Sequence, residues 1–212
     1  MVDGLDASPE ELERLITIKT AECEGIEKHG DDHVIEVDNK SLTHRPDLWG
    51  HYGMAREVAA ITGRPLRDPV RAQSFNGAAP VKISIDDYAL CPRYSALAFE
   101  NVKVQPSPKW LQERLEAVGL NPINNLVDVT NFVMAELAQP MHAFDADKLH
   151  DGPISVRNAK PGEQFAALND ETYELDETNL VIADPKGAIA LAGVIGGAGS
   201  AISEATTRLV LE

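Results

Sequence analysis

The sequence predicts an α+β fold, in which a small mixed N-terminal segment precedes a larger domain of helices and short strands in layered sheets. Three observations carry that prediction. Helix starts with their own caps stand at Ser8-Pro9-Glu10-Glu11 and Ser107-Pro108. Apolar residues recur at helical spacing in limited stretches, and from Ile154 onward short apolar runs alternate with turn-forming residues. With 43% hydrophobic and 25% charged residues over 212 positions, the chain has the composition of a globular protein that buries a core in one or two domains.

Ser8 caps the first helix, Pro9 suits its first turn and Glu11 completes a capping box, after which Leu12, Leu15 and Ile16 form one apolar face. Val34-Ile35-Glu36-Val37-Asp38 predicts a short strand. A second helix is expected from near Asp47 to Gly63, stopped by Arg64-Pro65, with Leu48, Ala55, Val58, Ala59 and Ile61 on its apolar side. Asp68 to Pro80 carries Pro, Gly, Ser, Asn and Gln without periodicity, which sets a linker over 67–80 between a module at 1–66 and a domain at 81–212.

In that domain Val81, Ile83 and Ile85 alternate as a strand, and Tyr94 to Val104 reads as a longer β stretch. Trp110, Leu111, Leu115 and Val118 stripe a third helix that Gly119 stops, and Leu126, Val129, Val133, Met134 and Leu137 predict a fourth over 125–137. Short strands are expected at 154–156, 165–168, 173–175, 180–183, 189–192 and 209–211, bounded by Asn169-Asp170, Pro185-Lys186-Gly187 and a glycine cluster.

Charge narrows the function. Lys and Arg number 19 against 34 Asp and Glu, a formal net charge of −15, and a field of that sign excludes a generic nucleic-acid coat. Any RNA contact must be local. No run approaches the roughly 20 apolar residues of a membrane helix, and Met1-Val2-Asp3-Gly4-Leu5-Asp6 lacks the regions of a signal peptide, so the expected location is cytoplasmic, without a membrane partner. Cys23 and Cys91 form no CxxC pair and are expected to be reduced, buried thiols.

Familiar reaction centres are missing. Gly193, Gly196, Gly197 and Gly199 do not spell GxGxxG, no phosphate-binding GxxxxGK[ST] occurs, and Ser200 lacks a GxSxG elbow. His29, Asp31, Asp32 and His33 form a compact set of potential metal ligands, but no second ligand cluster accompanies them, and a solvated turn is the expectation.

Gln139-Pro140-Met141-His142-Ala143-Phe144-Asp145 is more informative: Phe144 gives His142 apolar surroundings that favour a neutral imidazole able to accept a proton. A buried histidine bonded to backbone fits the same string. The run Gly193 to Gly199 lets backbone N–H groups approach a substrate, and it equally suits a tight strand connection. Glu212, after Leu209-Val210-Leu211, either projects into a pocket or is an exposed terminal carboxylate.

Five strings in order carry a family resemblance: Asn39-Lys40-Ser41-Leu42-Thr43-His44-Arg45-Pro46-Asp47 with Ala55-Arg56-Glu57-Val58-Ala59-Ala60-Ile61, Asn124-Asn125-Leu126-Val127-Asp128-Val129-Thr130-Asn131, the His142 string, Gly193-Val194-Ile195-Gly196-Gly197, and Leu209-Val210-Leu211-Glu212. Together they resemble the beta subunits of bacterial phenylalanine–tRNA ligases. The resemblance implies that residues 81–212 are the editing module, which hydrolyses mischarged tyrosyl-tRNA(Phe). It makes residues 1–66 the two parts of an N-terminal module, joined near Lys28 to Asp32 where many members carry an oligonucleotide-binding-fold insertion. It also implies an excised portion of a longer beta chain, unable to aminoacylate alone. The implied partners are tRNA(Phe), an alpha subunit in a heterotetramer, and tyrosine or phenylalanine as ligand. No cofactor is expected on this portion, with ATP and magnesium implied for the full ligase.

The resemblance further implies His142 as the catalytic group and Thr130, Asn131, Gly193, Gly196 and Glu212 as substrate-binding residues. An apolar synthetic pocket rejects an analogue that adds only a hydroxyl by roughly a hundredfold, so a second sieve is needed. A carboxylate that accepts the tyrosine phenol proton would be left unpaired by phenylalanine, at a cost of about 1–3 kcal/mol or more. Glu212 is the implied reader. The alternatives are a non-catalytic module that docks tRNA or subunits or binds amino acid, and a freestanding trans-editing protein.

Overall fold

The Ser8 hydroxyl accepts a hydrogen bond from the Glu11 N–H at 3.2 Å, and Pro9 opens the helix α1 (Pro9–Lys19). The computed structural model describes residues 1–38, 40–74 and 80–212. Asn39 of the first family string and residues 75–79 of the expected linker lie outside the described residues. After α1 come β1 (Cys23–His29), β2 (Asp32–Val37), α2 (His51–Thr62), β3 (Ile83–Ile85), β4 (Leu97–Glu100), α3 (Lys109–Ala117) and α4 (Asn125–Leu137). The remaining elements are β5 (Ala143–Asp145), β6 (Ile154–Asn158), β7 (Glu163–Ala166), β8 (Thr172–Leu175), β9 (Leu180–Ala183), β10 (Ala188–Leu191), β11 (Ile195–Gly196) and β12 (Arg208–Leu211). The fold is α+β.

Two compact units share the chain. One holds Met1–Ser74, Ser107–Pro122 and Asn131–Pro140; the other holds residues 80–106, Ile123–Thr130 and Met141–Glu212. The units therefore interleave in sequence, whereas the linker at 67–80 and the uninterrupted domain at 81–212 describe a single cut.

In the first unit β1 and β2 form an antiparallel hairpin whose turn, with Gly30 at φ 61°, falls where the resemblance sets the join of the N-terminal module. His29, Asp31, Asp32 and His33 are all exposed on it. The second helix begins later than expected. Pro46–Trp49 makes a 3-10 turn and α2 starts only at His51. The Arg45 guanidinium donates two hydrogen bonds to Asp47 and one to Glu57, at 2.8–2.9 Å, which ties the turn to α2. Ala21, Leu42 and Leu48 are the buried core beneath, and Gly63, at φ 68°, ends α2 as the sequence predicts. Pro108 itself stands at the cap of α3, one residue later than the expected Ser107 cap.

The second unit stacks two sheets. One runs β11-β10-β9-β6-β3, antiparallel except for the parallel β3–β6 pair, and the other runs β4-β12-β5, all antiparallel. Phe144 of β5 and Val210 of β12 share one core with Ile154, Val156, Ile182, Ile189 and Ala190 of the larger sheet. Alternation sends Val181 and Ala183 of β9 into a second core with Phe165 and Leu175 of the β7–β8 hairpin. That burial on both faces explains the unbroken apolar run Leu180-Val181-Ile182-Ala183. Phe144 is 0% exposed. Phe144→Ala is expected to lower stability by about 3–5 kcal/mol, read by denaturant unfolding, because the cavity left in so packed a core cannot collapse.

Candidate active site

β12 lies between β4 and β5, pairing Leu209 with Asp145, Val210 with Phe144 and Leu211 with Ala143. One step further, the Glu212 N–H donates to the His142 carbonyl at 2.9 Å. Glu212 and His142 thus face each other across the end of the sheet, and opposed residues of an antiparallel pair present their side chains on one face. Two residues that stand 70 positions apart by number are brought together by strand register.

The His142 ring packs edge-on against Phe144, with centroids 4.7 Å apart, and its Nε2 is buried without a hydrogen-bond partner. Burial holds its pKa below the usual 6.5, so the imidazole is neutral at physiological pH. A Cβ at Gly196 would come within 2.5 Å of Nε2, so only glycine leaves room for the ring. Gly193 turns the β10–β11 connection at φ 71°. Elsewhere in that loop the Val194 N–H donates to Leu191 and the Gly197 N–H to Ile189, so these two amides serve the strand connection.

Glu212 borders a cavity of about 330 Å³, in the roughly 300–1,000 Å³ class of small-molecule sites. Gly193, Tyr94 and Cys91 share its wall, against the aliphatic side chains of Leu180, Ile182 and Ala192. The Tyr94 hydroxyl donates to Glu212 Oε2 at 2.5 Å. Burial raises the pKa of Glu212 above 4.5 and the bond from Tyr94 pulls it back. Burial, and then the charge of Glu212, push the Tyr94 phenol upward, so it stays protonated as a donor.

Of the six residues expected in the site, Glu212 and Gly193 meet at the cavity, His142 opposes Glu212, and Gly196 abuts His142. Thr130 is buried on α4 and its hydroxyl donates to the Val127 carbonyl at 2.6 Å. Asn131 follows it, half-buried. Neither lines the cavity, and nor do His142 and Gly196. Tyr94 escaped sequence reasoning, since nothing in its neighbourhood marks a partner just past the end of strand β12. Cys23 and Cys91 are free but only half-buried, because Cys91 borders the cavity and not the core interior.

The layered α+β unit that holds this cavity falls in a recognised domain class: the chain is a member of the B3/4 domain family, whose model matches residues 90–212. Its relatives are phenylalanine–tRNA ligase beta subunits. That of Solibacter usitatus is 70% identical over 182 residues, covering 85% of this chain and 24% of the relative, and that of Rhodopirellula baltica is 42% identical over 208 residues, covering 97% and 30%. The chain therefore spans about a quarter to a third of the length of the curated relatives it matches. A solved N-terminal fragment of the phenylalanyl-tRNA synthetase beta subunit of Pyrococcus horikoshii overlays with a TM-score of 0.47 at 17% identity, over 98% of this chain and 63% of that one. Among the described residues, no helix is long and apolar enough to cross a membrane.

Proposed function

We propose that the cavity beside Glu212 receives an aromatic amino acid and that this module hydrolyses tyrosine mistakenly esterified to tRNA(Phe), in a ligase completed by an alpha subunit. The observation that carries the reading is the phenol-to-carboxylate hydrogen bond from Tyr94 to Glu212. A buried carboxylate that accepts a phenol proton is the chemistry needed to tell tyrosine from phenylalanine. Similarity to phenylalanine–tRNA ligase beta subunits supports the substrate class.

In the reaction, water oxygen bonds to the ester carbonyl carbon, the carbon–oxygen bond to the terminal ribose breaks, one water proton passes to the departing ribose oxygen, and the other is released to solvent. Free tyrosine leaves as its carboxylate. A neutral His142 with an uncommitted Nε2 suits a base or anchor for that water. The backbone of Gly193 faces the cavity and offers a donor for the oxyanion. The family resemblance assigns Thr130 and Asn131 to the substrate, but neither borders the cavity and the Thr130 hydroxyl proton goes to the Val127 carbonyl, so the reading gives them no step. The ester is already activated, so positioning and modest base assistance suffice. No cofactor enters the hydrolysis. ATP and magnesium belong to ligation, and the acidic surface implies that other parts of the ligase hold most of the tRNA.

Gly196→Ala tests the proximity of loop and base. Its methyl displaces the imidazole, and a misplacement of about 1 Å lowers rates by roughly 10²-fold, so tyrosyl-tRNA hydrolysis is expected to fall by about that factor. An unchanged rate in a folded variant would remove His142 from the reaction centre.

Calorimetry with L-tyrosine and L-phenylalanine tests the reading as a whole. Tighter binding of tyrosine is expected, and equal affinities contradict it. One observation favours a second reading, a module that binds without turnover: His142 does not line the cavity. Tyrosine binding combined with no release of tyrosine from tyrosyl-tRNA in the intact ligase would select that reading.

A further inference from the structure

Tyr94 sits 118 positions before Glu212 and enters none of the family strings, yet it is the side chain that holds the carboxylate. Its ring is fixed from behind, packed against the core of Phe144, Ile154, Val156, Ile182 and Val210. The strand pairing of Leu97 with Leu211 anchors the segment that follows it beside the end of β12. Around the carboxylate the cavity wall offers aliphatic carbon from Leu90, Val156, Leu180 and Ile182. Among the described residues, Tyr94 is the only side chain that donates a hydrogen bond to Glu212.

We infer that Tyr94 is a positioning residue for substrate selection, holding Oε2 of Glu212 so that Oε1 is presented to the phenol of a bound tyrosyl group. The inference rests on the proposed reading of the cavity as a tyrosine site. A carboxylate has acceptor capacity at both oxygens, so one phenol from the protein leaves room for a second from the ligand. Without a fixed partner the terminal torsion of a glutamate is broad, and the carboxylate would turn among orientations of which few meet the ligand. The Tyr94 bond also favours the ionised form, since it opposes the larger upward effect of burial on the Glu212 pKa. An ionised carboxylate is an acceptor only; the neutral acid is also a donor and loses the basis for preferring a hydroxyl. A core-anchored ring suits this fixed role better than that of a plug that swings aside.

The affinities of the 212-residue chain for L-tyrosine and L-phenylalanine, measured by calorimetry in parent, Tyr94→Phe, Glu212→Gln and the double variant, test the inference. Because the two ligands differ only in the hydroxyl, the ratio of their affinities is insensitive to a general loss of packing. Tyr94→Phe is expected to lower the tyrosine-over-phenylalanine ratio by about tenfold, the scale of one hydrogen bond to a charged group. In the Glu212→Gln background the same change is expected to have no further effect, because Tyr94 acts through that carboxylate. A ratio unchanged in Tyr94→Phe overturns the inference, and a ratio that rises overturns it in favour of a plug. A parent chain that binds both amino acids equally contradicts the tyrosine-site reading and this inference with it. A parent that prefers tyrosine, with Tyr94→Phe keeping that preference, contradicts this inference alone.

Discussion

Replacing His142 with alanine is expected to lower hydrolysis of tyrosyl-tRNA in the intact ligase by about 10²–10⁴-fold, the range supplied by a positioned general base, while phenylalanine charging stays nearly unchanged. The expectation follows from the state of the ring. Nε2 is buried and carries no hydrogen bond, so that atom is not committed to the protein, and the ring packs edge-on against Phe144. Burial depresses the pKa of His142 below 6.5, and the form proposed to act is the neutral one. Acidification from neutrality therefore leaves the base intact through the usual histidine range. Activity falls only as pH drops through the depressed value, so the acid limb of a pH–rate profile lies below 6.5 in the parent and disappears in His142→Ala. Stopped-time assays of tyrosyl-tRNA decay across pH measure both features. Equal rates in variant and parent would exclude the imidazole from the reaction.

Glu212→Ala is expected to abolish most of the preference for tyrosyl over phenylalanyl ester, by roughly 10²-fold. Without the carboxylate, neither ligand meets a buried acceptor, and the penalty that phenylalanine incurs by leaving a charged group unpaired is gone. The variant is expected to hydrolyse phenylalanyl-tRNA faster than the parent does, which a simple loss of structure would not produce. The sign of the pH effect follows from burial, which raises the Glu212 pKa above 4.5. As pH falls the carboxylate takes up its proton earlier than an exposed glutamate would, and discrimination begins to decline at a pH above that of an ordinary glutamate. Competitive deacylation of the two esters measures the ratio directly; a ratio independent of Glu212 would mean that another group reads the hydroxyl.

Local chemistry made much of the fold legible. The cap at Ser8, the glycine stop at Gly63, the whole of α4 and the strand over Leu180–Ala183 follow from spacing and turn residues alone. What escaped has physical reasons. β1 carries Cys23-Glu24-Gly25-Ile26-Glu27-Lys28-His29, half of it solvated, so no apolar alternation announces it. The late start of α2 reflects Pro46 and the Arg45 bonds to Asp47 and Glu57, where side-chain pairing overrides the helical pattern from Asp47. β5 is buried at all three positions, so Ala143-Phe144-Asp145 reads as a motif and not as a strand.

The candidate site was legible in part for the same reason. The strings that resemble the family name Glu212, His142, Gly193 and Gly196, and register and loop geometry draw these toward one end of the sheets. Tyr94 could not be read that way, since its partner is set by the pairing of β4 with β12 and not by anything near it in the chain. Thr130 shows the converse: its place in a family string says nothing of its hydroxyl proton, which the helix takes for the Val127 carbonyl.

A crystal structure with L-tyrosine bound tests the central claim most directly. The account predicts the phenol oxygen within hydrogen-bond distance of the Glu212 carboxylate, the ring among Leu180, Ile182 and Ala192, and the amino acid carboxyl end toward Gly193. Tyrosine lodged elsewhere, or seated in this cavity with its hydroxyl turned away from Glu212, would contradict it.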